Sequence, residues 1–460
     1  MIPLRPYQQG LVREIDTELS CFSKAPLVVL PTGGGKTFVA AQVTLNQTEI
    51  GKSVWFIAHR QELITQASKA FTTFGIRHGI LKAGTPADTS QRVQIASVQT
   101  LVRRLKDDYP PPDLIITDEC HHATAKSYTR IFAAYPNASL LGVTATPCRM
   151  NGAGLGDVFD SMILGPTNQW LTDNGFLSPA RYYAPPQKAD LTGIHTRAGD
   201  YVTSELEEAM DDGEITGDAV SHYRRLCDGV PMLVFCVSVA HAHHVAEEYR
   251  AAGYRAAAVD GKLSDEDRAD RISGLGNGKY QIITSCDLIG EGLDVPVVSA
   301  VQLLRPTQSP ALHLQQIGRG LRPAAGKDYL TVLDHVGNTR KHGFASTDRE
   351  WTLEGKKKSD SLPPTRTCAS CYSVHRTSKT CPYCGFEYPV VSHALTAKKI
   401  VDGELVEVVQ TPEERRAEEE NANSFQELVA IAKSRGYKKP TFWAMKRKKK
   451  WVHTGLMPRV

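Results

Sequence analysis

Between residue 27 and about residue 335, short apolar runs recur at intervals, separated by longer amphipathic stretches. The runs lie at 27–30, 53–58, 93–97, 114–117, 140–144, 232–235, 256–259, 281–284, 297–303 and 329–333. Most are near-continuous in apolar residues rather than alternating. That pattern marks parallel strands covered on both faces by helices. The regular alternation of strand and helix predicts an α/β fold class. Ten strands suit two five-strand lobes better than one sheet. The stretch 145–221 is rich in Gly, Asp and Thr, and the connection between lobes is expected in it near 175–190. After Phe344 the strand pattern stops. The expected divisions are a first lobe at 1–180, a second at 181–350 and a polar linker at 351–365. A cysteine module at 366–390, an acidic and polar segment at 391–423, and a basic aromatic element at 424–460 follow. Within that last element Ser424 and Glu427 have the spacing of a helix-starting cap.

Composition changes this picture little. Of 460 residues, 41% are hydrophobic and 23% charged, which excludes a fibrous or wholly disordered chain. No apolar run approaches the roughly 18–20 residues of a membrane span, so no membrane association is expected. The N-terminus lacks the basic region and apolar core of a signal peptide, and a cytoplasmic location is expected. The net charge of +4 is modest, but it is unevenly placed. No acidic residue follows Glu427, whereas Lys433 to Arg459 holds ten Lys and Arg.

Chemistry enters first at 27–43. An apolar run leads into Pro31-Thr32-Gly33-Gly34-Gly35-Lys36-Thr37 and then an apolar helical stretch. Glycines let backbone N–H groups turn inward around phosphate oxygens, and the helix N-terminus favours the same anion. Lys36 would reach the β- and γ-phosphates and the Thr37 hydroxyl would hold Mg²⁺. The strict P-loop pattern has Gly where this chain has Leu30, so the motif is a variant. A P-loop needs an acidic partner at the end of another strand. The run 114–117 ends in Asp118-Glu119-Cys120-His121. Asp118 would hold Mg²⁺, and Glu119 would orient and deprotonate the attacking water.

With these residues the chain resembles the superfamily 2 helicases, and the resemblance runs through about residues 4–335 with motifs in the family's order. Arg5-Pro6-Tyr7-Gln8 is similar to the adenine-reading segment, which gives Arg5 and Gln8 a nucleotide-binding role. Ala58-His59-Arg60-Gln61-Glu62-Leu63 and Ser97-Val98-Gln99-Thr100 are similar to strand-contacting motifs of the first lobe. Thr144-Ala145-Thr146 resembles the motif that links ATP state to nucleic-acid grip. In the second lobe, 233–238 resembles motif IV. Residues 284–296, with Gly292 and Asp294 in nucleotide-binding positions, resemble motif V. Gln315-Gln316-Ile317-Gly318-Arg319-Gly320-Leu321-Arg322 resembles motif VI, which gives Gln316, Arg319 and Arg322 catalytic roles. An arginine fork stabilises the charge on a departing γ-phosphoryl group, and two arginines three apart at a helix end can point into one cleft. The nearest group looks like the RadD-type bacterial and phage repair helicases, which Leu303-Leu304-Arg305-Pro306-Thr307, the Gly318–Arg322 stretch, Asp334-His335-Val336-Gly337-Asn338 and the downstream cysteines all resemble. The fold implied is two tandem RecA-like P-loop lobes with parallel sheets, plus a small C-terminal zinc ribbon and a basic tail.

Cys368-Ala-Ser-Cys371 and Cys381-Pro-Tyr-Cys384 are two C-x₂-C knuckles with nine residues between them. Four thiolates so spaced can close a tetrahedral structural Zn²⁺ site. His375 is an alternative ligand or a polar loop residue. Cys21, Cys120, Cys148, Cys227, Cys236 and Cys286 are scattered, and read as reduced residues, mostly buried. His241, His243 and His244 read as structural. The tail between Gly436 and Trp451 mixes Lys and Arg with Tyr, Phe and Trp. It suits phosphate neutralisation and base stacking, and equally a small amphipathic element whose aromatics pack while its lysines stay solvated.

The expectation is an ATP- and Mg²⁺-dependent motor on nucleic acid. DNA (single-stranded, forked or branched) is preferred because of the RadD-like resemblance. A single-strand-binding protein as partner comes from that resemblance alone. A monomer in the bacterial or phage-infected cell, associated with the nucleoid, is expected. The alternatives are an RNA helicase, the motor subunit of a restriction system, and a non-enzymatic DNA-binding scaffold.

Overall fold

All ten apolar runs form strands. The computed structural model describes residues 3–21, 23–107, 109–149, 152–184, 194–197, 200–210, 213–286, 295–347, 349–355, 364–388, 422, 425–435, 440–441 and 443–445. The chain falls into two units, Met1–Tyr388 and Pro389–Val460.

The first unit holds two large sheets. In sheet one, β1 (Pro26–Val29), β2 (Val54–Ala58), β3 (Gly79–Leu81), β4 (Val93–Ser97), β5 (Leu114–Asp118), β6 (Ser139–Thr144) and β7 (Ser161–Leu164) lie in the order β3-β4-β2-β5-β6-β1-β7. Every pairing in it is parallel. The second sheet starts with β8 (Ala180–Tyr183). A two-stranded hairpin of β9 (Thr196–Arg197) and β10 (Asp200–Tyr201) follows in the chain. Then come β11 (Met232–Phe235), β12 (Ala256–Val259), β13 (Ile282–Ser285), β14 (Ala300–Leu303), β15 (Leu330–Asp334), β16 (Thr365–Thr367) and β17 (Ser373–Arg376). The second sheet runs β12-β13-β11-β14-β15-β8-β17-β16. Its strands are parallel as far as β8, which β17 joins antiparallel.

Seven and eight strands replace the two sets of five expected. The added strands are short, and β7, β8 and β16 are only partly buried. β7, for example, has one buried residue in four, too weak a signal for an apolar-run reading. Since β7 belongs to the first sheet and β8 to the second, the chain crosses between them at 165–179, earlier than the expected centre near 175–190. The half-exposed Ala180-Arg-Tyr-Tyr183 strand hid the boundary.

Two further expectations change. The cysteine module is no separate bead. Ser373 and Val374 pair with Tyr183 and Tyr182, so its hairpin extends the second sheet, and Val374 is buried in that lobe's core. Nor is the start of the 351–365 segment a loose linker. Leu155 and Gly156 N–H donate to the Leu353 carbonyl at 2.9 Å each, and Trp351 and Leu353 pack on Leu155 and Phe159 of the first lobe. Residues 356–363 lie outside the described residues.

In the second unit, helix Phe425–Ser434 buries Leu428 and Ala432, and Trp443 and Ala444 cluster with it. The cap at Ser424, the acidic segment up to residue 421 and most of the basic tail lie outside the described residues. No described helix is long and apolar enough to cross a membrane.

Candidate active site

The P-loop leaves β1 at its carboxyl end, where open parallel sheets bind ligands. Leu30, the departure from the strict pattern, is fully buried beneath the loop, and its N–H donates to the Thr144 carbonyl at 2.9 Å. Gly35 caps helix Lys36–Glu49 in the left-handed region at φ 87°, and a Cβ there would stand 2.2 Å from Gln8 Nε2. Only glycine satisfies both constraints. Tyr7 Oη and Gln8 Nε2 both donate to the Gly34 carbonyl, at 2.8 and 3.0 Å. Gln8 Oε1 accepts from Arg5 N–H at 2.9 Å. Gln8 therefore braces the loop and keeps one amide hydrogen and one Oε1 lone pair for a further partner.

β6 lies between β1 and β5, so the P-loop and Asp118 flank Thr144 across one strand. Asp118 and Glu119 are 5% and 3% exposed. Asp118 Oδ1 accepts the Glu119 N–H at 2.9 Å. Glu119 stands at φ 47°, ψ 50°, a left-handed conformation uncommon for a residue with a side chain and frequent at functional sites. Lys36 Nζ lies 3.5 Å from Glu119 Oε1, and His121 Nδ1 lies 3.5 Å from Oε2. Burial, and then the charges of Glu119 and Asp118, push the Cys120 thiol up. Cys120 is thus a neutral apolar filler behind the acidic pair. Thr144 Oγ1 accepts from Thr146 N–H at 3.2 Å inside the adjoining turn. The His122 ring lies between those of His59 and His121, edge-on to the first at 4.4 Å between centroids and tilted against the second at 4.1 Å.

The second lobe contributes helix Pro310–Gly318. Ser309 caps it through Oγ, which accepts from Leu312 N–H, and Pro310 occupies the first turn. Arg319 follows at the C-cap. A Cβ on Gly318 would fall 2.6 Å from Thr32 Cβ, so the helix end and the P-loop touch across the lobe boundary. Arg268 Nη1 and Glu62 Oε1, 3.2 Å apart, bridge the lobes elsewhere.

These elements enclose a cavity of about 480 Å³, within the range of small-molecule sites. Its walls bring together Arg5, Gln8, Thr32, Gly33, Gly35, Lys36, Thr37, Asp118, Glu119, Arg319 and Arg322. Gln66 and Lys69, from helix Gln61–Thr73, also line it. Sequence reasoning missed them, because a polar helix face carries no signature of what it faces. Two expected residues stand back from the wall. Gly34 is held through its carbonyl by Tyr7 and Gln8. Gln316 is 2% exposed, with no hydrogen-bond partner for Oε1 among the described residues. Gly292 and Asp294 lie outside the described residues.

The Asp334–Asn338 segment serves as scaffolding. Asp334 accepts the N–H groups of Val336, Asn338 and Thr339, at 3.3, 3.1 and 2.6 Å. Asn338 holds the 303–307 segment through Thr307 N–H and the Arg305 carbonyl.

In the cysteine module all four Sγ atoms lie within 4.8 Å of one another. The Cys368–Cys384 and Cys371–Cys381 separations are 3.6 and 3.7 Å. A tetrahedron with Zn–S bonds of about 2.3 Å has edges of about 3.8 Å, so the donor set fits Zn²⁺. Burial pushes the Cys381 thiol up, but hydrogen bonds from Ser373 and the backbone of Tyr383 and Cys384 outweigh it and bring it down to about 5. His375 is on β17, not in a loop, and its Nε2 meets Tyr388 Oη at 2.7 Å. Its ring atoms are not part of the thiol cluster. His243 pairs with Asp260 at 2.6 Å and His244 with Glu248 at 3.7 Å. Neither belongs to a cluster of potential metal ligands among the described residues.

Comparison with known proteins agrees with this geometry. Residues 1–149 match the family described as type III restriction enzyme, res subunit. Residues 219–324 match the helicase conserved C-terminal domain. A 51.5 kDa protein of a Lactococcus phage is 32% identical over 387 residues, covering 83% of this chain and 82% of its own. A Saccharomyces cerevisiae protein named as an ATP-dependent helicase, IRC3, is 29% identical over 357 residues, 73% of this chain but 51% of its own. This chain thus spans about half the length of the yeast relative. The fold is shared with a fragment of a type I restriction enzyme HsdR subunit from Vibrio vulnificus, at a TM-score of 0.58 and 23% identity over 74% of this chain and 65% of that one. A P-loop lobe and a helicase C-terminal lobe, closed on one cavity and matched through both lobes by a relative 32% identical over 83% of the chain, place the chain in the superfamily 2 helicases, a family of ATP-hydrolysing enzymes.

Proposed function

We propose that the chain is a DNA motor that couples ATP hydrolysis in the interlobe cavity to movement on, or remodelling of, DNA in repair, recombination or replication. One observation carries this reading: Lys36, Asp118, Glu119, Arg319 and Arg322, from two lobes, share one cavity of nucleotide size. Thr37 and Asp118 would hold Mg²⁺, which when bound neutralises phosphate charge. Lys36, resting beside Glu119 at 3.5 Å, would exchange that partner for the β- and γ-phosphates. Glu119, released from Lys36, would orient water and take its proton. Arg319 and Arg322 would stabilise the departing phosphoryl charge, and because they come from the other lobe, turnover would require closure. Arg5 and Gln8 would read the base. In this reading lobe one runs to β7 at Leu164 and lobe two begins with β8 at Ala180. The four cysteines hold structural zinc, and the basic tail adds phosphate contacts. The protein works as a monomer of the RadD type, with a single-strand-binding protein as candidate partner.

The test is steady-state ATP hydrolysis with no nucleic acid, single-stranded DNA, duplex DNA, forked DNA and RNA, at two salt concentrations. Stimulation by a DNA form that fades with salt is expected. Stimulation by RNA alone would replace DNA with RNA as the track. Indifference to every nucleic acid would remove the motor reading. A restriction-system motor is the second reading, favoured by the likeness to restriction-enzyme subunits. It requires that stimulation by DNA depend on an added site-recognition subunit.

A further inference from the structure

The two arginines that face the cavity sit on a turn, Arg319 to Arg322, just past the end of helix Pro310–Gly318. A helix end leaves its last carbonyls without intrahelical partners. The N–H groups of this turn fold back onto the helix: Gly320 donates to Ile317 at 2.9 Å and Leu321 to Gly318 at 3.4 Å. The carbonyls of Gly320, Leu321 and Arg322 each meet a donor. The Leu321 carbonyl accepts from Ser178 N–H at 2.7 Å, from the segment that crosses between the lobes. The Gly320 and Arg322 carbonyls both accept from Lys327 Nζ, the latter at 2.7 Å. Lys327 Nζ donates also to the Val298 carbonyl, at 2.6 Å, just before β14. An ammonium has three N–H donors, and here all three are matched to carbonyls.

We infer that Lys327 is a positioning residue for ATP hydrolysis: its ammonium anchors the Arg319–Arg322 turn to the segment that enters β14 of the second sheet and so sets where the two guanidiniums stand in the cavity. The inference rests on the proposed role of those arginines. Lys327 does not itself line the cavity, and its own side chain opens on a different face, beside Arg224, Arg225 and Tyr329. Burial, and then the charge of Arg322, push the Lys327 ammonium down to about 8. A cation is therefore held where solvation disfavours it, next to another cation. An apolar side chain would fill the same space without that opposition, so the three carbonyls are what favour a lysine here.

The test compares Lys327→Met, Lys327→Arg and Arg319→Ala, singly and with Lys327→Met combined with Arg319→Ala. The readouts are kcat and KM for ATP in the presence of the best stimulating nucleic acid, and the melting temperature. Lys327→Met keeps length and loses all three donors. Its kcat is expected to fall about tenfold to a hundredfold, as for a reacting geometry displaced by a fraction of an ångström to one ångström. KM for ATP should stay within about twofold, because the P-loop is untouched. In the Arg319→Ala background the same change should cost less than in the wild type, because only Arg322 is left to displace. Lys327→Arg keeps the charge, but a planar fork cannot reach three carbonyls as an ammonium does, and an intermediate kcat is expected. A Lys327→Met protein with wild-type kcat overturns the inference. So does a loss that persists in full in the Arg319→Ala background, or one that appears in KM. If Lys327→Met does not fold, Lys327→Arg decides: lowered kcat with unchanged KM supports positioning, and wild-type kcat rejects it. Unchanged turnover in Arg319→Ala would instead sink the arginine assignment on which the inference stands.

Discussion

Gly318→Ala is the sharpest single-atom probe of the lobe contact. A methyl carbon at this position would stand 2.6 Å from Thr32 Cβ and 2.8 Å from Thr32 Cγ2. Carbon atoms rest at about 3.5–4.0 Å, so the overlap is about 1 Å. Rotation of Thr32 cannot relieve it, because both Cβ positions are fixed by their backbones. The helix end and the P-loop must move apart by about that distance, and Arg319, the next residue, moves with the helix. A displacement of about 1 Å at a reacting centre costs about 100-fold in rate, or about 2.7 kcal/mol. The substituted residue is helical, and alanine is favoured over glycine in a helix by about 1 kcal/mol. The melting temperature should therefore hold or rise while kcat falls, which separates this effect from damage to the fold. Steady-state hydrolysis with the stimulating nucleic acid, beside a thermal melt, makes the measurement. Thr32→Ser retains Cβ and should not rescue turnover; Thr32→Gly removes it and should restore lobe contact. Gly318→Ala turnover within about twofold of wild type would refute the argument that hydrolysis needs this closure.

Three other perturbations test separate parts of the molecule. Lys36→Ala should abolish hydrolysis and weaken nucleotide binding, and near-normal turnover would sink the P-loop assignment. Wild-type protein should carry one equivalent of zinc by metal analysis and Cys381→Ser none; a variant that keeps a full equivalent contradicts the four-thiolate site. Because β17 continues the second sheet, chelation should also lower the melting temperature of the motor itself. His335 is pushed down to about 3 by burial and then by His222, and Gln302 Nε2 donates to its neutral ring at 3.1 Å. Between pH 6.5 and 3 the unfolded imidazole binds a proton that the folded one refuses, so stability should fall as pH drops below 6.5. At about 1.4 kcal/mol per unit the loss is about 2 kcal/mol by pH 5. Urea midpoints from pH 5 to 7.5 should show a slope that His335→Gln flattens, and equal slopes would remove His335 as its source.

What the sequence disclosed, and what it hid, follows from how locally each feature is encoded. Parallel strands buried on both faces announce themselves, and all ten apolar runs are strands. β7, β8 and β17 were not visible, because a strand at the flank of a sheet needs only part of an apolar face, and Ser373-Val-His-Arg376 reads as a strand only once Tyr182 and Tyr183 are known to lie beside it. The cysteine module looked detached for the same reason: its knuckles are local and its docking is not. The site divides in the same way. Lys36, Thr37, Asp118 and Glu119 stand in motifs whose chemistry is contained in a few consecutive residues, and the structure sets them around one cavity. Gln66 and Lys69 face that cavity from a helix whose polar positions look like any solvated face.

Lys327 and Gly318 show the deeper limit. A lysine in a Gly-Lys-Asp turn reads as a surface charge, and a glycine before an arginine reads as part of a helicase signature. Each acquires its function from atoms far away in the chain: the Val298 carbonyl for one, Thr32 Cβ for the other. Both act on where Arg319 and Arg322 stand without facing the nucleotide cavity themselves. A motor that hydrolyses ATP only when two lobes close needs the arginines aligned to a fraction of an ångström across a moving boundary. Residues that fix a turn, or permit a backbone to approach, are then as decisive for turnover as the guanidiniums, and they leave no chemical signature in the sequence by which they could be found.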